Sequence, residues 1–307
     1  MKKLKLGTAI VAIVVVAGTV FYACKKDGES ILSQKEKKTN IDEPLISYTG
    51  NEFMFDFEYQ NPHNHLGEKH NQLVNELFVK WNSFVAENEA EGGQEDELIV
   101  KLFAYAVPRS QEICGMKLEE YGVTEYKFVE AIINDVSTYA ELNYMEMLEK
   151  HFGENHPDNY LDEFFDEFST RFGLDADLTF LDPIEIRIIE QKIMHSNIGE
   201  NAKNDYLIFC AVYRYSLENM QERYKQGEPL VTGVSGGVVY ADAAGAVRGA
   251  FMGGKAGVAG GPGGVALTAT IGAVCVGALS SGGEALLEEH VYPRLAAAAD
   301  KVRSWFS

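Results

Sequence analysis

Near the C-terminus, five glycines recur at every fourth position of the chain: Gly245, Gly249, Gly253, Gly257 and Gly261. On an α-helix this spacing places them along one nearly straight stripe. Each glycine costs a helix about 0.8–1.0 kcal/mol relative to alanine. A helix with so many glycines must recover that free energy, and small-residue helix pairs do so through the close approach of a second backbone.

A second apolar run follows the helix-breaking residues 260–264 and supplies a partner for this stripe. We therefore predict a glycine-zipper helical hairpin over residues 231–292, with a first arm over 238–260. The helix-packing positions are the five glycines and four small residues of the second arm: Ala269, Ala273, Gly277 and Ser281.

The two arms of the hairpin differ in charge. No charged residue occurs between Ala256 and Gly283, whereas the first arm carries Asp242, Arg248 and Lys255. In a bilayer such charges cost several kcal/mol each unless they are paired or face water. Because Arg248 and Lys255 are seven residues apart, we predict that they share one polar stripe.

The N-terminus has the pattern of an export signal. Three lysines among the first five residues precede an uncharged apolar run over 6–23, as in a secretory signal. Cys24 follows directly, and this arrangement resembles the bacterial lipoprotein signal. The resemblance implies a signal peptide over 1–23, a lipidated Cys24 that binds the membrane, and a polar, disordered tether over 24–47. An uncleaved signal anchor is the alternative, since the apolar run is just long enough to span a bilayer.

The residues after Cys24, Lys25-Lys26-Asp27, resemble those of Bacteroidota lipoproteins. This resemblance implies a lipoprotein displayed on the outer face of the outer membrane.

The middle of the chain, residues 48–230, has the pattern of a helical domain. Leu66, Leu73, Leu77, Trp81 and Phe84 are spaced as on one buried helix face. Turn signals about 15 to 30 residues apart favour a helix bundle over a sandwich or barrel. The predicted helices after the first cover 95–106, 110–120, 124–152, 158–172, 182–197 and 200–226.

The predicted fold class is therefore all-α: a multi-helix bundle followed by the glycine-zipper hairpin. A C-terminal amphipathic helix over 293–307 ends in Trp305-Phe306, a pair suited to a membrane interface.

The opening of the helical domain, residues 61–71, reads Asn-Pro-His-Asn-His-Leu-Gly-Glu-Lys-His-Asn. It is similar to the opening of a Bacteroidota surface lipoprotein family in which a helical region precedes a glycine-zipper tail. The resemblance implies this domain order, and it implies no activity.

The same opening contains a candidate metal cluster: His63, His65, Glu68 and His70. His65 and Glu68 share a helix face, but His63 and His65 do not, and the HExxH pattern is absent. We interpret these residues as a helix-start cluster and predict no metal and no cofactor.

Three further motifs are weaker candidates for chemistry. The Gly-x-Ser-x-Gly sequence of 233–237 lacks the sheet that a nucleophile elbow needs. Residues 249–256 resemble a phosphate-binding loop, but Ala256 replaces the Mg²⁺-binding hydroxyl. The acidic-aromatic segment 162–168 has the spacing of an amphipathic helix. We therefore predict that the protein is not an enzyme.

Charge and cysteine content exclude further classes. The formal charge of −19 and the absence of a basic cluster argue against nucleic acid as a partner. Beyond Cys24, the cysteines are Cys114, Cys210 and Cys275, which we interpret as small buried hydrophobes. A Cys114–Cys210 disulfide is the alternative.

Two functions fit these features. In the first, a lipid-anchored envelope protein uses its hairpin for membrane association or self-association, as bacteriocin-type glycine-zipper peptides do. In the second, the hairpin packs on its own domain, and the protein is a soluble, surface-displayed helical binding module.

The lipoprotein hypothesis predicts that wild-type protein incorporates labelled palmitate and fractionates with the outer membrane. Cys24→Ala removes the acceptor thiol, so this variant is expected to lose the label. Palmitate labelling followed by membrane fractionation measures both. Equal labelling of the two proteins would contradict the hypothesis.

Overall fold

The computed structural model describes residues 56, 58–91, 95–159, 161–173, 176–227, 235–286 and 291–307. The predictions for the signal peptide (1–23), the tether (24–47) and the lipidated Cys24 lie outside these ranges. Within them the all-α prediction is confirmed. The described segments are helices, short 3₁₀ turns and loops, with one isolated β-bridge between Asp177 and Ser235.

Eleven α-helices follow one another along the described part of the chain. They are α1 (Asn64–Glu91), α2 (Glu95–Cys114), α3 (Glu125–Tyr139), α4 (Tyr144–Asn155), α5 (Asp162–Arg171), α6 (Ile184–His195), α7 (Glu200–Lys225), α8 (Gly236–Ala256), α9 (Gly261–Leu286), α10 (Val291–Ala297) and α11 (Ala299–Phe306). Short 3₁₀ helices lie at Leu118–Tyr121, Pro157–Asn159 and Gly257–Gly260.

The hairpin of α8 and α9 lies in the centre of the fold. The two helices pack on each other, and α1, α2, α3, α4, α7 and α10 pack around them. Every residue of α8 from Gly236 to Gly253 is buried except the half-buried Phe251. A helix that is apolar on all sides has to be covered on all sides, and the other helices provide that cover.

The hairpin lies within the helical bundle. The described residues belong to one compact unit, and the domain boundaries at 230/231 and 292/293 stay predictions. The hairpin does not follow the bundle as a separate element. The apolar arms of the hairpin are instead the core on which the amphipathic helices bury their own apolar faces.

Pro108 lies inside α2, where the sequence predicted a break between helices over 95–106 and 110–120. Phe103, Ala106 and Val107 are fully buried before the proline, and Ser110 is fully buried after it. Packing of this face maintains one helix despite the hydrogen bond that proline removes.

Asn143 divides the segment 124–152, which was predicted as one helix, into α3 and α4. Its side chain accepts hydrogen bonds from the backbone N–H groups of Met145 and Glu146, and the Glu146 side chain accepts one from the backbone N–H of Asn143. This reciprocal arrangement is a capping box, which starts a new helix. The predicted C-terminal helix is likewise divided, into α10 and α11.

Candidate functional site

Three glycines of α8, and Gly257 in the 3₁₀ turn that follows it, lie directly against the backbone of α9. A Cβ atom at Gly249 would collide with the carbonyl of Gly272, and one at Gly253 with the carbonyl of Thr268. The same holds for Gly257 against Gly264, and for Gly245 against the carbonyl of Val276 at 2.8 Å. As the residue numbers of the glycines increase, the residue numbers of their partners on α9 decrease. The two helices are therefore antiparallel.

Two parts of the predicted ladder differ in the structure. Gly261 has a φ angle of 69° and nothing within 4 Å of a Cβ built there, so it forms the turn into α9 and is not a packing position. On α9 the residues nearest the glycines of α8 lie mainly one position before the predicted set: Gly264, Thr268, Gly272, Val276 and Ser280.

The predicted residues of the second arm lie beside this contact stripe. Ala273 and Ser281 are buried, and the backbone nitrogen of Ala269 would lie 3.1 Å from a Cβ at Gly253. Gly277 faces α1, where a Cβ atom would lie 2.9 Å from Cδ2 of His70. Because α9 has small residues on two adjacent faces, its sequence alone left the choice of face open.

The charged residues of α8 do not share one polar stripe. Arg248 is fully buried, whereas Lys255 is exposed near the end of the helix, with its ammonium 4.0 Å from the ring centroid of Phe251. Asp242 is also fully buried. Since a buried charge needs a partner, the surroundings of Asp242 and Arg248 form the candidate functional site.

Asp242 is held by α1 and α7. His70 Nε2 lies 3.3 Å from Asp242 Oδ1, and the Ser216 hydroxyl donates to Asp242 Oδ2. His70 Nδ1 lies 3.2 Å from Oδ1 of Asn71, whose amide donates to the carbonyl of Tyr215. Both ring nitrogens of His70 therefore face acceptors, as in a protonated imidazolium. Burial lowers the pKa of His70, but the Asp242 carboxylate together with the hydrogen bonds to Asn71 and Gly277 outweighs burial, and the pKa is raised.

This cluster contains Ser, His and Asp, but its order is not that of a nucleophilic triad. A triad needs the histidine between the serine and the acid, whereas here Asp242 lies between Ser216 and His70. All three side chains are almost completely buried. The arrangement neutralises a buried charge and offers no exposed nucleophile.

Arg248 is held by α3 and α4. Its guanidinium forms a bidentate pair with Asp135, in which Nε lies 3.2 Å from Oδ2 and Nη2 donates to Oδ1. Its Nη1 lies 2.6 Å from Nδ1 of His151. The ring centroid of Tyr139 lies 4.2 Å from the guanidinium carbon. Burial raises the pKa of Asp135 even though Arg248 acts in the opposite direction.

The partners of His151 determine its protonation state. Arg248 and the Asn155 amide, 3.2 Å away, both direct donors at Nδ1. A guanidinium can only donate, so Nδ1 is the acceptor and the proton lies on Nε2, which donates to Asp205 at 3.0 Å. His151 is thus neutral. Its burial, assisted by Arg248, lowers its pKa despite the opposing effect of Asp205.

His151, His156 and Asp205 have the composition of a metal site, with ligand atoms within 4.8 Å of one another. A ligating histidine normally donates its second N–H to an acceptor. Here Arg248 approaches that second nitrogen as a donor, so the Nε2 lone pair of His151 is not available to a cation. Asp205 instead accepts from both histidines, with His156 Nε2 at 2.8 Å. The arrangement fits a hydrogen-bonded relay better than a metal centre.

The four residues first considered as a metal cluster lie at four separate contacts. His63 lies 3.3 Å from Asn204, and His65 bonds the carbonyl of Pro62 at 3.1 Å. Glu68 accepts from the Tyr215 hydroxyl at 3.1 Å, while His70 faces Asp242. His63, Glu68 and His70 dock this segment onto α7 and α8, whereas His65 bonds within the segment.

The weaker motifs have structural positions. Residues 233–234 of the Gly-x-Ser-x-Gly sequence lie outside the described ranges, and Ser235 caps α8. Residues 249–256 are continuous helix and form no phosphate-binding loop. In the acidic-aromatic segment, Phe164 and Phe168 are buried against Phe209 of α7. Cys114, Cys210 and Cys275 are free and buried, so the alternative Cys114–Cys210 disulfide is not formed.

Asp135, His151 and Asp205 were not identified from the sequence. They come from three different helices, and no spacing rule joins them. The available signal was indirect: Asp242 and Arg248 in an otherwise apolar helix required partners elsewhere in the chain.

Comparison of the chain with protein-family models, curated proteins and solved structures finds no match. The resemblance to Bacteroidota lipoproteins therefore stays a prediction.

Gly249→Ala and Gly254→Ala form a matched pair on α8. The first places a methyl group into the backbone of α9 and is expected to lower the free energy of unfolding by about 1–3 kcal/mol. The second meets only side chains at 3.6 and 4.0 Å, so the gain in helix propensity is expected to stabilise the protein by about 0.5–1 kcal/mol. Denaturant unfolding measures both, and equal effects would contradict backbone contact at Gly249.

Arg248→Met leaves Asp135 half-buried without its cation and is expected to cost about 3–5 kcal/mol. The double variant Asp135→Asn, Arg248→Met removes both charges and should recover part of that loss. A double-mutant cycle in denaturant, with Asp135→Asn as the fourth corner, gives the coupling energy. If Arg248→Met alone is at least as stable as the double variant, Asp135 and Arg248 are not coupled.

Proposed function

We propose that this protein is a lipid-anchored, surface-displayed helical binding module in which the hairpin is the core of the domain. The observation that supports this proposal is the pairing of both buried charges of α8 by surrounding helices. Asp242 is held by α1 and α7, and Arg248 by α3 and α4. The hairpin is thus joined to its own domain by polar contacts on several sides.

The same contacts oppose transfer of the hairpin into lipid. Outside the fold, Asp242 and Arg248 would lose their partners, and each would cost about 2.5–3.5 kcal/mol near the centre of a bilayer. They are six residues apart on α8, so they project from different faces and do not neutralise each other. The resting state that best satisfies these groups is the enclosed one.

A groove between α2 and α11 is the surface that we assign to partner binding in this proposal. It has a volume of about 690 Å³ and is lined by Val100, Trp305 and charged residues of both signs. Trp305 is 63% exposed. Exposed tryptophans surrounded by polar groups are frequent anchors of protein–protein interfaces, so a protein partner of mixed surface charge fits this groove.

The second candidate function is membrane association or self-assembly through a released hairpin, as in a bacteriocin-like protein. Residues Gly236–Ser281 are long and apolar enough to cross a membrane by length and composition, although 72% of the qualifying window is buried. The glycine contacts lie within the hairpin, so the two helices could leave the domain as a pair. Val258 near its turn is 67% exposed.

Dye leakage from liposomes separates the two candidates. The binding module is expected to cause no leakage above that of a Gly249→Leu, Gly253→Leu variant, whose helices cannot make the backbone contact. Gly254→Ala serves as the control on the same helix. Leakage by wild type and Gly254→Ala, but not by the leucine variant, would refute the permanent-core proposal and support the released hairpin.

A further inference from the structure

The contact between Arg248 and His151 joins the central hairpin to α4 through an imidazole, a side chain whose ordinary pKa is about 6.5. Arg248 Nη1 lies 2.6 Å from His151 Nδ1, and the exposed fractions of the two side chains are 1% and 0%. Because Arg248 only donates, this contact exists only while Nδ1 keeps a free lone pair. It therefore requires a neutral His151.

A proton added to His151 has no acceptor at Nδ1. The nearest polar groups there are the Arg248 guanidinium and the Asn155 amide, and Nε2 already donates to Asp205. Protonation would replace a hydrogen bond by two cations at contact distance in a buried site, where charge repulsion is weakly screened. Either Arg248 and His151 move apart, or His151 stays unprotonated.

The other charged groups around this position do not cancel the effect. On α7, Asp205 already accepts from His151 and from His156. On α3, Asp135 is committed to Arg248 as a bidentate partner. On α8, Lys255 adds a second cation that acts on Asp135. The rings of Phe152 and Phe251, with centroids 5.3 and 5.1 Å from that of His151, exclude water from the remaining sides.

The contact at Asp242, six residues before Arg248 on α8, has the reverse requirement. His70 faces only acceptors, namely Asp242, Asn71 and the carbonyl of Gly277. It is therefore stable as an imidazolium, and acid does not disturb it. One histidine contact of the hairpin needs a neutral ring and the other needs a charged ring.

We propose that the His151–Arg248 contact is an acid-sensitive latch. Protonation of His151 releases α4 from α8 at Arg248, while His70 keeps α1 attached at Asp242. The latch is a property of the closed fold, and it does not depend on whether the released surface binds a protein or a membrane.

The direction of the pH dependence follows from linkage. The pKa of His151 in the fold lies below the ordinary value of 6.5, so the open or unfolded state takes up the proton first. Stability contributed by neutral His151 is complete above pH 6.5 and is lost as the pH falls below that value. The raised pKa of His70 acts oppositely: its contribution is complete below pH 6.5 and is lost as the pH rises through the folded value.

The melting temperature of the full chain at pH 7.5 and 5.5 tests the latch. His151→Gln keeps one donor and one acceptor but does not titrate, and His195→Gln removes an exposed histidine of α6 as the matched control. Between pH 7.5 and 5.5, the melting temperatures of the wild type and the control are each expected to fall by about 3 °C or more beyond the fall seen for His151→Gln. Parallel losses in all three proteins would overturn the proposal.

A measurement on the wild type covers the case in which His151→Gln does not fold. In the full chain with ¹⁵N-labelled histidine, the ring of His151 is expected to be neutral with its proton on Nε2 at pH 7.5. It should take up a second proton only below pH 6.5, together with faster amide exchange in α4 than in α1. A protonated ring at pH 7.5, the Nδ1–H tautomer, or protonation without local opening of α4 would each overturn the proposal.

Discussion

Close contact between two helical backbones is the constraint on which the rest of this structure depends. At Gly249 and Gly272 neither helix carries a side chain, so the carbonyl of each residue occupies the space that a Cβ of the other would need. Such a contact buries few side-chain atoms of its own. The outer faces of the hairpin are also apolar, and side chains of the surrounding helices cover them.

Aromatic residues of α7 provide much of that cover. Phe209 lies 5.2 Å from Tyr240 of α8, centroid to centroid, and it also packs on Phe164 and Phe168 of α5. The two helices of the hairpin approach each other most closely at the glycines, and the aromatic residues pack around the hairpin. The described residues of the hairpin and the bundle belong to one compact unit.

The buried charges of α8 restrict how the surrounding helices can pack on an otherwise apolar helix. Small apolar side chains specify helix position weakly, because neighbouring registers bury similar areas. A buried ion pair is weak evidence for stability, but Asp242 with His70 and Arg248 with Asp135 each accept one arrangement of the helices around them. We infer that these pairs select the register in which the outer helices enclose the hairpin. The different protonation states of His70 and His151 follow from the polarity of the groups that they meet.

Most helices of the bundle followed from local patterns, and the errors have local physical causes. Pro108 lies where a break between two helices was expected, but burial of Phe103 and Val107 before it and of Ser110 after it maintains one helix. The capping box of Asn143 and Glu146 was present in the sequence and marks the break that was overlooked. In the second arm, Thr268 and Gly272 rather than Ala269 and Ala273 face the glycines of α8, since small residues occur on two adjacent faces of α9.

The sequence by itself determined the helical fold class, the two apolar arms and the need for a close backbone contact at Gly245, Gly249, Gly253 and Gly257. These follow from periodicity and from the missing Cβ, which are local properties. Only the tertiary structure decided that the hairpin is enclosed by its own domain, that Asp135 and His151 meet at Arg248, and that Asp205 contacts His151. Those groups lie on four different helices, and their charge and hydrogen-bond polarity acquire meaning only when folding brings them into one buried place.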